Sequence, residues 1–283
     1  MTSDKLVTWL FETTAVRVCP ENKPFWYTSG TIGPYYINTH FLYGSESKAN
    51  ELLAFIDANK NEPNNFSARL LEKIRKNYEE DAIFKGLMDE MVTFIKQNID
   101  VKEIDYISGG ERRDWFFSLL VAEILGKPHV TIFKDLSAVL FENGVTSKVG
   151  SLSDKKVLHI ADLITEASSY ERAWIPAIEG MGGKICWSVV VVDRMQGGAE
   201  LLAGKGVKSL AMVTIDKNLF DKAFDMKLIT DKQKEMLFSY IDHPKLSMQN
   251  FLQEHPEFME NALNSDPKTR ERAGLCLEKK IYG

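Results

Sequence analysis

The spacing of apolar positions divides the chain into stretches of different kind. Leu6 to Phe11 predicts a short helix, after which Pro20, Pro24, Gly30, Gly33 and Pro34 break the chain into extended segments and turns. Residues 45–64 are polar and rich in Asn, a loop around a short helix at Ala49–Ile56. Phe66, Leu70, Leu71, Ile74 and Tyr78 then share one helical face, as do Leu87, Met88, Met91, Phe94 and Ile95. From residue 101 short β-branched runs take over, at Ile104–Ser108, Val130–Phe133, Val157–Ile160, Ile185–Val192 and Leu210–Ile215. They do not alternate strictly, so they predict strands buried on both faces, as in a parallel sheet. Helical stretches at Asp114–Leu125, Ser168–Ile178 and Ala199–Ala203 separate most of them, which predicts an α/β fold with right-handed crossovers. Pro176 is expected to kink or shorten the middle helix. After residue 216 the strands cease, and helices are predicted at 231–241, 247–253 and 267–280, the last opening with Asp266-Pro267.

Composition narrows the function classes. With 35 Lys and Arg against 40 Asp and Glu, the net charge is −5, and bulk nucleic-acid binding lacks its basic footprint. Cys19, Cys186 and Cys276 are scattered, giving neither a disulfide framework nor a zinc knuckle; with no signal-peptide pattern this predicts a reducing cytoplasm. The greasiest runs, Trp115–Leu125 and Ile185–Val192, are too short to span a bilayer, so no membrane partner is expected. The five histidines show no metal spacing, and His159, inside a predicted strand, reads as a core residue.

Three segments fall where a parallel sheet binds ligands, beyond the carboxyl ends of its strands. Ser108-Gly109-Gly110-Glu111-Arg112-Arg113-Asp114 offers glycines for close backbone approach, fixed positive charge and a helix cap at Asp114. It reads as a phosphate or pyrophosphate site, or else as an ordinary turn with solvated arginines. In Val157 to Ser169, a strand delivers Asp162 and a run of small hydroxyl residues opens a helix, a pattern suited to a ribose 5-phosphate or to simple capping. Asp193-Arg194-Met195-Gln196-Gly197-Gly198 follows a third strand, placing either a functional cation or a structural ion pair at the same edge.

The second segment resembles the phosphoribosyl pyrophosphate (PRPP) motif of type I phosphoribosyltransferases. The third, extended through Leu202, Gly206-Val207 and Ser209-Leu210, is similar to the orotate phosphoribosyltransferase branch, as is the early Tyr27-Thr28-Ser29-Gly30-Thr31-Ile32-Gly33-Pro34-Tyr35-Tyr36-Ile37-Asn38. The resemblance divides the chain into a hood segment (1–44), a helical insertion (45–100), a phosphoribosyltransferase-like α/β core (101–216) and a C-terminal helical extension (217–283). It implies a five-stranded parallel core with a hood over the base. It also implies PRPP carried with Mg²⁺ rather than a metal held by protein ligands, transfer of ribose 5-phosphate to a base such as orotate, and a homodimer with a mobile loop. Asp162 would bind the ribose hydroxyls and act in catalysis with Lys134 at the start of that loop. Thr165, Glu166, Ala167, Ser168 and Ser169 would hold the 5-phosphate, and Gly109, Gly110, Arg112 and Arg113 the pyrophosphate. Tyr35, Tyr36 and Arg194 would contact the base.

The chain departs from the family pattern at four places. The acidic pair is Ala161-Asp162, the phosphate-loop glycine is Ala167 beside Glu166, and Thr28 stands where the hood lysine is expected. The loop after Lys134 is apolar where the family's is basic. A second reading follows from these departures, a non-catalytic sensor that binds PRPP or a nucleotide.

Overall fold

The computed structural model describes residues 3–283, which divide into two compact units. One holds Thr39–Ile215 with the N-terminal residues through Trp9; the other holds Leu10–Asn38 and Asp216–Gly283.

The first unit is built on a seven-stranded sheet: β1 (Tyr106–Gly110), β2 (His129–Ile132), β3 (Ala138–Glu142), β4 (Val145–Lys148), β5 (Lys156–Ile164), β6 (Lys184–Asp193) and β7 (Lys208–Thr214). Their spatial order is β7-β6-β5-β1-β2-β3-β4. The five strands foreseen from β-branched runs are parallel, and in β6 every residue from Ser188 to Asp193 is buried, as two covered faces require. From β1 the chain steps to β2 on one side, while β5, β6 and β7 build outward on the other. The direction of winding therefore reverses between β1 and β5, and the crevice beyond their carboxyl ends is where such sheets take ligands.

Strands β3 and β4 were not foreseen. The stretch expected to be a mobile loop after Lys134 is an antiparallel hairpin that extends the sheet past β2. Its tip is Asn143-Gly144, both with positive φ (51° and 79°), the dipeptide whose left-handed backbone matches the twist of a two-residue hairpin.

The crossover helix Trp115–Leu125 is apolar all round and buried from Trp115 to Ala122; it stops at Gly126, whose φ of 63° only glycine adopts freely. The crossover after β5 opens with a π-helical turn, Tyr170–Trp174, and continues as the helix Ile175–Gly180. Pro176 sits in the first turn of that short helix, directly after the π-helical turn, so the interruption expected at Pro176 is present.

Helices Glu46–Asn59, Pro63–Glu80 and Ala82–Asn98 belong to the same unit. Ser45 caps the first, accepting from the Lys48 N–H, and Asp81 caps the third, accepting from Ile83 and Phe84. The apolar stripes read from the sequence are buried: Phe66, Leu70 and Ile74 on one helix, Leu87, Met88, Met91 and Ile95 on the next.

The second unit pairs Val16–Val18 with Tyr35–Ile37 and Phe25–Trp26 with Ile32–Gly33, and adds helices Lys217–Asp225, Asp231–Asp242, Pro244–Glu254, Pro256–Leu263 and Pro267–Glu278. Trp26 stacks on Phe258 at 5.6 Å over a core of Ile32, Met248, Ala262 and Ala273. The helices at 217 and 256 were not foreseen; Asp216 caps the first by accepting from the Leu219 N–H.

Candidate active site

Beyond the carboxyl ends of β1 and β5 lies a pocket of about 240 Å³. Its lining comes from two chain segments and two further side chains. Glu111, Arg112, Arg113 and Asp114 follow β1; Ala161 to Thr165 and Ala167 to Tyr170 come from β5 and its loop; Lys134 follows β2, and Trp174 closes the floor. Two of the segments singled out from sequence thus share one cavity.

Asp162 is the most unusual group there. It is buried, its Oδ2 has no hydrogen-bond partner, and burial, reinforced by Asp114, pushes its carboxyl up to about 7, with the Arg113 charge pulling the other way. An acceptor held out of water without a donor lowers its free energy by meeting one, and the hydroxyls of a sugar are suitable donors.

Asp114 does work the sequence did not assign to it. It was expected to cap the helix that follows, but makes no such bond. The ladder between β1 and β5 ends at Ser108 and His159. Asp114 continues it with its side chain: Oδ1 accepts from the Asp162 N–H and Oδ2 from the Gly110 N–H, each at 3.1 Å. Its Oδ2 also lies 3.4 Å from His159 Nε2, whose Nδ1 hydrogen-bonds Ser108 Oγ at 2.9 Å. His159 is fully buried and is a core residue, as expected. Beside it, Tyr170 hydrogen-bonds Ser188 Oγ at 2.6 Å, and burial pushes its phenol well up.

Gly109 and Gly110 are placed differently from the expectation of glycines that open the backbone to an anion. Both end β1, buried, and neither lines the pocket. A Cβ at 109 would collide with Ser118 Oγ, and one at 110 with the Trp174 ring, so packing beneath the loop excludes side chains there. Ser118 is itself held, by a 2.9 Å hydrogen bond to His129 Nε2, whose other nitrogen meets Thr131 Oγ1 at 2.9 Å.

The arginines differ from each other. Arg112 is ion-paired with Asp57 of the helix Glu46–Asn59. Arg113 has no ion pair among the described residues; its charge favours the ionised form of Asp162 and, after burial, is the largest cause holding His40 down to about 3. Glu111 is met by Lys60 at 2.6 Å and accepts from the Lys134 N–H at 3.1 Å, while the Lys134 side chain is exposed at the pocket.

In the loop after β5, Thr165, Ala167, Ser168 and Ser169 line the pocket, whereas Glu166 is exposed and outside the lining. Ala167 is buried with φ of 56°, holding the left-handed backbone that the family's glycine would adopt without strain. Gly198 allows the third segment to sit against this loop, since a Cβ there would collide with the Thr165 carbonyl. Arg194 does not line the pocket; its N–H donates to the Ile164 carbonyl at 3.0 Å.

Tyr35 and Tyr36 lie in the second unit. Tyr35 is buried between Phe220 and Tyr240, with ring centroids 5.7 Å from each, so it serves as core there and exposes too little of its ring to stack on a base. Tyr36 is half-buried beside Phe25 and Tyr27. Among the described residues no cluster of His, Cys, Asp and Glu could hold a metal ion, and no helix is long and apolar enough to cross a membrane.

No protein-family model matches the chain. It is 26% identical over 171 residues to an orotate phosphoribosyltransferase of Sulfurisphaera tokodaii, an alignment covering 60% of this chain and 82% of that one. Among solved structures, orotate phosphoribosyltransferase from Aeropyrum pernix matches with a TM-score of 0.52 at 19% identity, over 77% of this chain and 99% of that one. UMP synthase of Leishmania donovani matches with a TM-score of 0.56 at 16% identity, over 85% of this chain; the match spans 42% of that longer protein. The chain therefore has the type I phosphoribosyltransferase fold, and its sequence likeness lies with the orotate branch of that family.

Proposed function

We propose that the protein is a phosphoribosyltransferase that transfers ribose 5-phosphate from PRPP to a pyrimidine base, orotate or a similar acidic ring. The observation that carries this is the unpartnered buried Asp162 Oδ2 in a pocket whose other walls are Thr165, Ser168, Ser169, Arg113 and Lys134. Asp162 accepts from the ribose hydroxyls; those donors favour its ionised form and so return its raised pKa toward the ordinary range. The loop from Thr165 to Ser169 binds the 5-phosphate with its N–H groups and hydroxyls. Arg113 and Lys134 face the charge that develops on departing pyrophosphate, a stabilisation that grows as the ribosyl carbon loses its bond. Mg²⁺ carried by PRPP fits this site, since the one orphaned carboxylate oxygen can orient the ligand, and the ion supplies further neutralisation of the leaving group. The working form under this proposal is a homodimer in the cytoplasm.

The second reading, a PRPP or nucleotide sensor without turnover, is favoured by the hairpin. Its cations are confined to its ends, Lys134 before β3 and Lys148 closing β4, and between them it carries only Asp135 and Glu142, so it offers few charges to clamp pyrophosphate.

One assay separates the two. With PRPP, Mg²⁺ and a panel of bases including orotate, pyrophosphate release is expected for at least one base. Titration calorimetry is expected to show PRPP binding weakened about 10- to 100-fold by Asp162→Asn, the loss of one charge-assisted contact. Binding without release for any base leaves the sensor reading, and unchanged affinity in Asp162→Asn overturns the site.

A further inference from the structure

The charges on the pyrophosphate side are already matched by the helix Glu46–Asn59, which lies outside the sheet and outside every resemblance drawn from the sequence. Asp57 in its last turn and Lys60 just after it form a chain of alternating charge with the pocket loop. Asp57 Oδ2 accepts from Arg112 Nη1, and Asp57 Oδ1 lies 3.3 Å from Lys60 Nζ. Lys60 Nζ in turn lies 2.6 Å from Glu111 Oε1. A carboxylate with one oxygen on a guanidinium and the other on an ammonium makes the contacts that two phosphate oxygens would make.

Resting on the PRPP reading of this pocket, we propose that Asp57 is a built-in competitor for the ligand's pyrophosphate, holding Arg112 until the ligand displaces it. Burial decides which of the two carboxylates yields. The Glu111 side chain is 6% exposed and stays with Lys60, because leaving it unpaired there is costly. The Asp57 side chain is 46% exposed and can turn to water. Its pair with Arg112 is an exposed one, weaker than the bidentate bond that a guanidinium makes with a phosphate. Asp57 is thus a positioning residue that sets how much of the arginine pair is available; Lys60 keeps Glu111 from repelling the incoming anion.

The test titrates inorganic pyrophosphate and PRPP into the wild-type protein, Asp57→Asn, Arg112→Ala and the double variant, each checked for native circular dichroism. Asp57→Asn is expected to bind pyrophosphate about two- to fivefold tighter, the range of a half-exposed ion pair. The gain is expected to vanish in the Arg112→Ala background, which a general change in surface charge would not do. Equal or weaker binding by Asp57→Asn, or a gain that persists without Arg112, overturns the proposal while wild-type PRPP binding leaves the functional reading standing. No binding of either ligand to any of the four proteins overturns both.

Discussion

The two sides of the pocket are held in opposite ways. On the side proposed for the sugar, Asp162 is fixed by backbone and by Asp114, is buried, and has an oxygen to spare. On the side proposed for pyrophosphate, Arg112 and Glu111 are tied to Asp57 and Lys60, so their charges already have partners within the protein. A site whose acceptor is fixed and unmatched binds without rearranging; one whose cations are already paired must first release them. Under the PRPP reading, the sugar side would set orientation and the other side the adjustable part of affinity.

The largest expected effect concerns the stability that the sugar side gives up. Asp162 has an ordinary pKa of 3.8 when unfolded and about 7 when folded. A group raised on folding contributes most below its unfolded value, and that contribution is lost as pH rises through the folded one. The wild-type fold should therefore lose on the order of a few kcal/mol from this residue between about pH 4 and pH 8. Asp162→Asn removes the titration, so its melting temperature is expected to gain on the wild type as pH goes from 5 to 8. A difference in melting temperature that stays constant across that range would show that Asp162 is ionised throughout, and the contrast between the two sides would fail.

A smaller effect sharpens the other half of the comparison. Arg113→Ala removes a pocket cation that has no ion pair among the described residues and is expected to weaken PRPP binding about tenfold or more. Arg112→Ala removes one already committed to Asp57 and is expected to cost less than fivefold. Titrations in which the two are equal, or in which Arg112 matters more, would mean that the Asp57 pair is no restraint.

Much of this was legible because it rests on local chemistry. Buried β-branched runs gave five parallel strands, and the segments around Asp162 and Arg112-Arg113 proved to share a cavity. What was missed depends on partners far along the chain. Asp114 looks like a helix cap from its neighbours, but serves a strand 48 residues away. Gly109 and Gly110 look like an anion loop, and only Ser118 and Trp174 show that packing requires them. No local signal joins Asp57 to Arg112 or Lys60 to Glu111, since charged residues on a polar helix read as solvated. The hairpin is a different case: Asn143-Gly144 between β-prone residues was a usable signal, obscured by the expectation of a mobile loop.

The smallest effect tests whether the sugar side is as rigid as its geometry implies. Ala167 is buried at φ 56°, a conformation that costs an L-residue roughly 1–2 kcal/mol and glycine almost nothing. Glycine also loses more freedom on folding, which offsets part of that gain. Ala167→Gly is therefore expected to raise stability by up to about 1 kcal/mol in urea unfolding, with PRPP affinity changed by less than about twofold. A glycine variant that is less stable would mean that contacts of the Ala167 methyl outweigh the backbone strain. One that binds PRPP much more weakly would mean that this methyl, wedged in the phosphate loop, keeps the N–H groups aimed at the ligand, and that the loop is held by strain as well as by hydrogen bonds.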